Sequence, residues 1–192
     1  MNSAELIERG RTVIRMERDA LAALEARIDE SFASAVNLLA AADGQVIISG
    51  VGKSGLIGQK IAATLRSTGT PATFLHPTEA MHGDLGLVGP CDVALFISKS
   101  GETDELTPLV EQLKRFGVSL IVLTGARDSF LARQADVLLD ASVEDEACPT
   151  TDAPTTSTTT ALALGDALAV ALLSAKGFRR EDFARLHPGG SL

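Results

Sequence analysis

The chain has 192 residues, 45% of them hydrophobic, with a net charge of -8 and a pI near 4.9. That length can bury a full core and is expected to form a single domain over residues 1–192, while the acidic balance, with no basic cluster and no Trp or Tyr, argues against a nucleic-acid partner. Cys91 and Cys148 are too few and too scattered for a disulfide framework or a zinc site and read as reduced thiols in a cytoplasmic protein.

Two N-terminal helices are expected over residues 3–26 and 28–42, with Leu6, Val13, Leu21 and Leu24, then Phe32, Val36 and Leu39, on their apolar faces. The first carries Glu5 and Glu8 and lacks the apolar core of an export signal. Strands are expected at 45–49, 72–75, 92–97, 118–123 and 136–140. The helices between them run from the first strand to about residue 68, from about 106 to 117, and over 129–135. Residues 79–89 read as a polar loop or brief helix. Strands alternating with helices predict a parallel α/β sheet, and the unbroken apolar run of the third strand suits a sheet covered on both faces.

After the fifth strand a polar connection rich in Thr leads to a last long helix, with Pro154 suited to its first turn and the hydroxyls of residues 155–160 to its cap. The apolar segment 161–175 is interrupted by Gly165 and Asp166, is too short to span a bilayer, and reads as a buried helix. After the N-terminal helices of 3–42, the sheet core with its phosphate turns spans 45–176, and the residues beyond it read as a tail.

The turn Gly50-Val-Gly-Lys-Ser-Gly55 follows the first strand and opens a helix whose buried stripe is Ile57, Ile61, Ala62 and Leu65. Glycines let backbone N–H groups approach a ligand, and a lysine beside the positive end of a helix fits best with an anion between them. The spacing matches a dinucleotide fingerprint, but the next strand ends in His76-Pro77 and not in an acid. A Walker A loop would need glycine at Ile47. On this stretch alone, a tight turn with a solvated lysine is an equally good reading.

A five-stranded parallel sheet of this length commonly takes the order 2-1-3-4-5, within a three-layer α-β-α sandwich. Ligands then bind where strands one and three diverge. The turns there are Gly52-Lys53-Ser54 and the stretch Ser98-Lys99-Ser100-Gly101-Glu102-Thr103, so two polar loops converge on the expected cleft.

Together with His82-Gly-Asp84, Glu146-Ala-Cys-Pro149, Ala153-Pro-Thr-Thr-Ser-Thr-Thr159, Gly165-Asp-Ala-Leu-Ala169 and His187-Pro-Gly-Gly190, these stretches resemble the sugar-isomerase (SIS) domain of D-arabinose-5-phosphate isomerases. The resemblance runs from about Gly50 onward. It departs at Lys99, where family members carry Asn, and in the absence of the pair of regulatory CBS modules that usually follows.

The resemblance implies interconversion of D-ribulose 5-phosphate and D-arabinose 5-phosphate, a step toward the lipopolysaccharide sugar Kdo. Such an isomerase opens a cyclic sugar, moves a proton between C1 and C2 through a cis-enediolate, and stabilises charge on oxygen. The family positions of the proton shuttle map onto Glu105 and Glu146, with Glu146 preferred because a flexible polar loop could reach the sugar. Lys53 would stabilise the enediolate or bridge to the phosphate, His187 would serve ring opening, and His82 would contact sugar hydroxyls. Gly52, Ser54, Ser98, Lys99, Ser100 and Thr103 would hold the phosphate. No metal, cofactor or membrane is implied. The expected assembly is a homotetramer with shared sites, because His187 lies on a tail far from its own cleft in sequence and the first helix offers an apolar stripe that one domain need not bury.

Overall fold

The structure, a computed structural model, describes residues 1–148 and 150–189; Pro149 of the Glu-Ala-Cys-Pro stretch and Gly190 of the His-Pro-Gly-Gly stretch lie outside them. Two helices, α1 (Ser3–Glu25) and α2 (Glu30–Ala41), precede five strands: β1 (Val46–Gly50), β2 (Ala72–Phe74), β3 (Val93–Ile97), β4 (Ser119–Thr124) and β5 (Val137–Asp140). Between and after them lie α3 (Lys53–Ser67), α4 (Pro77–Ala80), α5 (Thr107–Arg115), α6 (Phe130–Gln134), α7 (Thr156–Ala175) and α8 (Arg180–Leu186). All pairings are parallel and the order is β2-β1-β3-β4-β5, as the alternation of elements predicts.

Strand periodicity divides the core in two. Val46, Ile48, Leu95, Ile97, Ile121 and Leu123 face one side and pack with α2, α3 and α7, whereas Ile47, Ala94, Phe96, Leu120 and Val122 face the other and pack with α5 and α6. α7 is long and apolar enough to cross a membrane, but here it packs against α1, α2 and α3 with Leu164, Leu168 and Leu172 buried. α1 behaves differently. Leu24 is its one buried residue among those described, while Leu6, Ile7 and Ile14 are exposed.

Three local expectations change. Pro154 precedes α7 by two residues instead of occupying its first turn, and Thr155 at the cap makes no side-chain capping bond; a carboxylate described below takes that role. Residues 98–103 do not run directly into a helix but into a 3-10 turn, Asp104–Leu106, before α5. The tail holds a helix, α8, which is too short to announce itself by periodicity.

Candidate active site

Gly50 at the end of β1 pairs with Ile97 at the end of β3, so the turns that follow them open side by side at the C-terminal edge of the sheet. In the first turn, Gly52 has φ of 60°, and a Cβ on Gly55 would lie 2.7 Å from the Gly50 carbonyl oxygen. The helix therefore starts as close to its strand as backbone allows. Lys53, the first residue of α3, is exposed, and Ser54 is partly buried.

The second turn is pinned along its length. Ser98 is buried, its Oγ lies 2.8 Å from Thr103 Oγ1, and it accepts the Gly101 N–H at 3.0 Å. The Lys99 carbonyl accepts the Gly125 N–H and the Thr124 hydroxyl, and the Gly101 carbonyl accepts the Leu131 N–H. Glu102 accepts the Phe130 N–H at the start of α6 (2.8 Å). Of the three hydroxyls, Ser98 and Thr103 hold the turn together and Ser100 is the exposed one. Such a turn presents its groups without having to be ordered by a ligand.

Gly101 adopts φ of 65°, and a Cβ there would overlap the Ser129 hydroxyl. Gly101→Ala is accordingly expected to destabilise the fold by about 1–3 kcal/mol and to loosen the turn, read by denaturant midpoint and by weakened sugar-phosphate binding.

The start of α7 forms the facing wall. Ser54, Ser98, Lys99, Gly125, Ser157 and Thr158 line a narrow cleft there. Glu146 joins two of its walls. Its side chain is 3% exposed, with Oε1 2.7 Å from Lys99 Nζ. Oε2 accepts the N–H groups of Thr155 (2.8 Å) and Ser157 (3.2 Å), and the hydroxyls of Thr155 and Ser157 also donate to the carboxylate. It thus satisfies N–H groups at the helix start that the threonine hydroxyls were expected to serve. The connection carrying it is tied down, not free to swing.

Burial alone would raise the Glu146 carboxyl; the Lys99 ammonium, then the Ser157 hydroxyl and the Thr155 and Ser157 N–H groups, outweigh it and bring it to about 2 from 4.5. A depressed carboxyl stabilises the fold above its unfolded pKa and loses that contribution as pH falls through the folded one. Stability on the order of 3 kcal/mol should therefore disappear between about pH 4.5 and pH 2, and the acid side of a stability–pH curve should flatten in Glu146→Gln.

The other candidates are not gathered here. Glu105 is exposed on the 3-10 turn, and its carboxylate makes no ion pair or hydrogen bond among the described residues. His82 is exposed after α4. His187 follows α8 and stacks on Phe183 with ring centroids 3.9 Å apart. Its Nδ1 lies 2.8 Å from the Phe183 carbonyl, which can only accept, so Nδ1 donates there, and its Nε2 lies 2.7 Å from Ser67 Oγ. Ser67 is the last residue of α3 and Lys53 the first, which puts them about 21 Å apart along the helix. His187 is at the wrong end of α3 for its own cleft.

Sequence reasoning missed Glu102, Thr124, Gly125 and Ser157. Glu102 and Ser157 lay inside stretches already singled out, but their partners are distant in sequence. Among the described residues, no cluster of three or more His, Cys, Asp or Glu side chains is arranged to hold a metal ion.

Comparison with known proteins matches residues 38–171 to the SIS domain family. The arabinose 5-phosphate isomerase KdsD of Pseudomonas aeruginosa is 54% identical over 98% of this chain, and the arabinose 5-phosphate isomerase GutQ of Salmonella typhi is 50% identical over 99%. The chain spans 58% and 59% of the lengths of these two relatives. A solved Escherichia coli CFT073 protein in complex with arabinose 5-phosphate superposes with a TM-score of 0.94 at 41% identity, covering 98% of this chain and all of that one.

Proposed function

This chain belongs to the SIS domain family, and we propose that it interconverts D-ribulose 5-phosphate and D-arabinose 5-phosphate through a cis-enediolate. The observation that carries this reading is the pair of polar turns at the switch point of the sheet, one opening α3 and the other pinned beside it, faced by a buried carboxylate. The similarity to named arabinose 5-phosphate isomerases and to a protein solved with arabinose 5-phosphate supports it.

In this reading Gly52, Ser54, Ser98, Lys99, Ser100 and Thr103 hold the phosphate. Glu146 takes the C1 proton of the ketose; the C–H electron pair becomes the C1=C2 bond, and charge moves to the C2 oxygen, where Lys53 opposes it. Returning the proton to C2 while the C1 hydroxyl passes its own proton to the C2 oxygen turns the C1–O bond into the aldehyde carbonyl and yields the aldose. Glu105 is the second carboxylate that could serve, and Glu146 is preferred because it already touches the phosphate turn. None of these proton transfers needs a metal or a redox cofactor. His82 contacts sugar hydroxyls.

His187 promotes ring opening in the cleft of a neighbouring subunit, within a homotetramer in the cytoplasm. The distance along α3 and the exposed Leu6, Ile7 and Ile14 of α1 support that assembly. The product would enter Kdo and lipopolysaccharide synthesis.

The test is a substrate panel without added metal: D-ribulose 5-phosphate, D-fructose 6-phosphate and sedoheptulose 7-phosphate, compared by kcat/KM. The five-carbon ketose should lead, and a preference for the seven-carbon sugar would point to a phosphoheptose isomerase. Ser100→Ala should raise KM more than it lowers kcat, since the phosphate does not react.

A further inference from the structure

We propose that Lys99 is a shared cation, closing on Glu146 while the cleft is empty and moving onto the substrate's phosphate when the cleft fills, so that Glu146 is freed to take the sugar proton. This rests on the sugar-phosphate reading of the cleft and adds a coupling between its two ends.

Lys99 belongs to the phosphate turn by backbone and to Glu146 by side chain. Its carbonyl is fixed by Gly125 and Thr124, so only the side chain can move, and that side chain is 47% exposed. Glu146, 3% exposed, is held by donors from Thr155 and Ser157 in addition to Lys99. Breaking the ion pair therefore leaves the carboxylate hydrogen-bonded and in place, and the lysine is the partner that leaves.

The walls of the cleft meet at this same contact, since Lys99 and Ser157 both line it and both touch Glu146. A phosphate dianion on the turn carries more charge than the carboxylate and lies on Lys99's own loop, so it competes well for the ammonium.

The exchange has a chemical consequence. A carboxylate held by an ammonium is a weak base, and one that loses its cation beside a bound sugar gains proton affinity. The base would be strengthened only when a phosphorylated substrate is present.

The experiment is a double-mutant cycle read by calorimetric binding of D-arabinitol 5-phosphate, which carries the phosphate and hydroxyls but no carbonyl to isomerise. With Lys99 in place, Glu146→Gln releases the lysine beforehand and should tighten binding roughly tenfold. In a Lys99→Met background the same change should alter affinity by no more than about twofold. Equal tightening in both backgrounds would mean plain charge repulsion and overturn the proposal, as would no tightening in either. Absence of binding in the unmutated protein would overturn it together with the sugar-phosphate reading.

A second measurement needs no altered protein beyond assignment. The Glu146 carboxyl carbon resonance, identified by its loss in Glu146→Gln, should shift on saturation with the alditol phosphate in the unmutated protein. An unchanged resonance in the saturated protein overturns the exchange.

Discussion

Replacing Glu146 by glutamine is expected to lower turnover of D-ribulose 5-phosphate by a hundred- to ten-thousandfold while the protein still binds sugar phosphate. The amide preserves the size of the side chain and can still accept the Thr155 or Ser157 N–H, so the start of α7 keeps much of its cap. What it cannot do is accept and return a proton. Loss of turnover without loss of binding separates a proton-transfer role from a purely structural one, because a collapsed helix start would open the cleft and weaken both. Glu105→Gln should cost far less, its carboxylate being exposed on a 3-10 turn and without an ion pair or hydrogen bond to either phosphate loop. The reverse ranking in kcat would assign the shuttle to Glu105.

A mixture of two inactive proteins, His187→Ala and Lys53→Ala, is expected to regain activity once subunits exchange. Within one chain these residues lie at opposite ends of α3, and His187 is occupied with Ser67 and the Phe183 carbonyl. A cleft built from Lys53 of one chain and His187 of another is intact in about a quarter of random pairings, so about a quarter of the original activity should return. Each protein alone should stay inactive. No recovery after proven exchange would place both residues in one chain's site or remove His187 from the chemistry.

Much of the architecture was legible because its signals are local. The apolar run of β3, the strand–helix alternation and the turn around Gly52 are each contained in a few neighbouring residues, and together they led to the order 2-1-3-4-5. The position of the cleft followed from that order, since Gly50 and Ile97 must end side by side. What was not legible depends on contacts between distant segments. Residues 155–160 look like self-capping hydroxyls until the fold brings Glu146 to them, and Lys99 looks like one more cation of the phosphate turn until it meets the same carboxylate. α8 has too few turns to show a stripe, so His187 read as lying on a free tail although it closes a short helix against α3. The apolar side of α1 was visible in Leu6, Val13 and Leu21 and was expected to exceed what one domain buries, and the core does close with Leu6, Ile7 and Ile14 exposed.

The isomerase reading is tested most directly by following D-ribulose 5-phosphate with the purified protein in D₂O by NMR. The account predicts D-arabinose 5-phosphate carrying deuterium at C2, because the proton taken from C1 passes through an enediolate and a carboxyl group that exchanges with solvent. Ribulose 5-phosphate that remains unconverted and unlabelled, with the protein folded and the sugar phosphate bound, would contradict it.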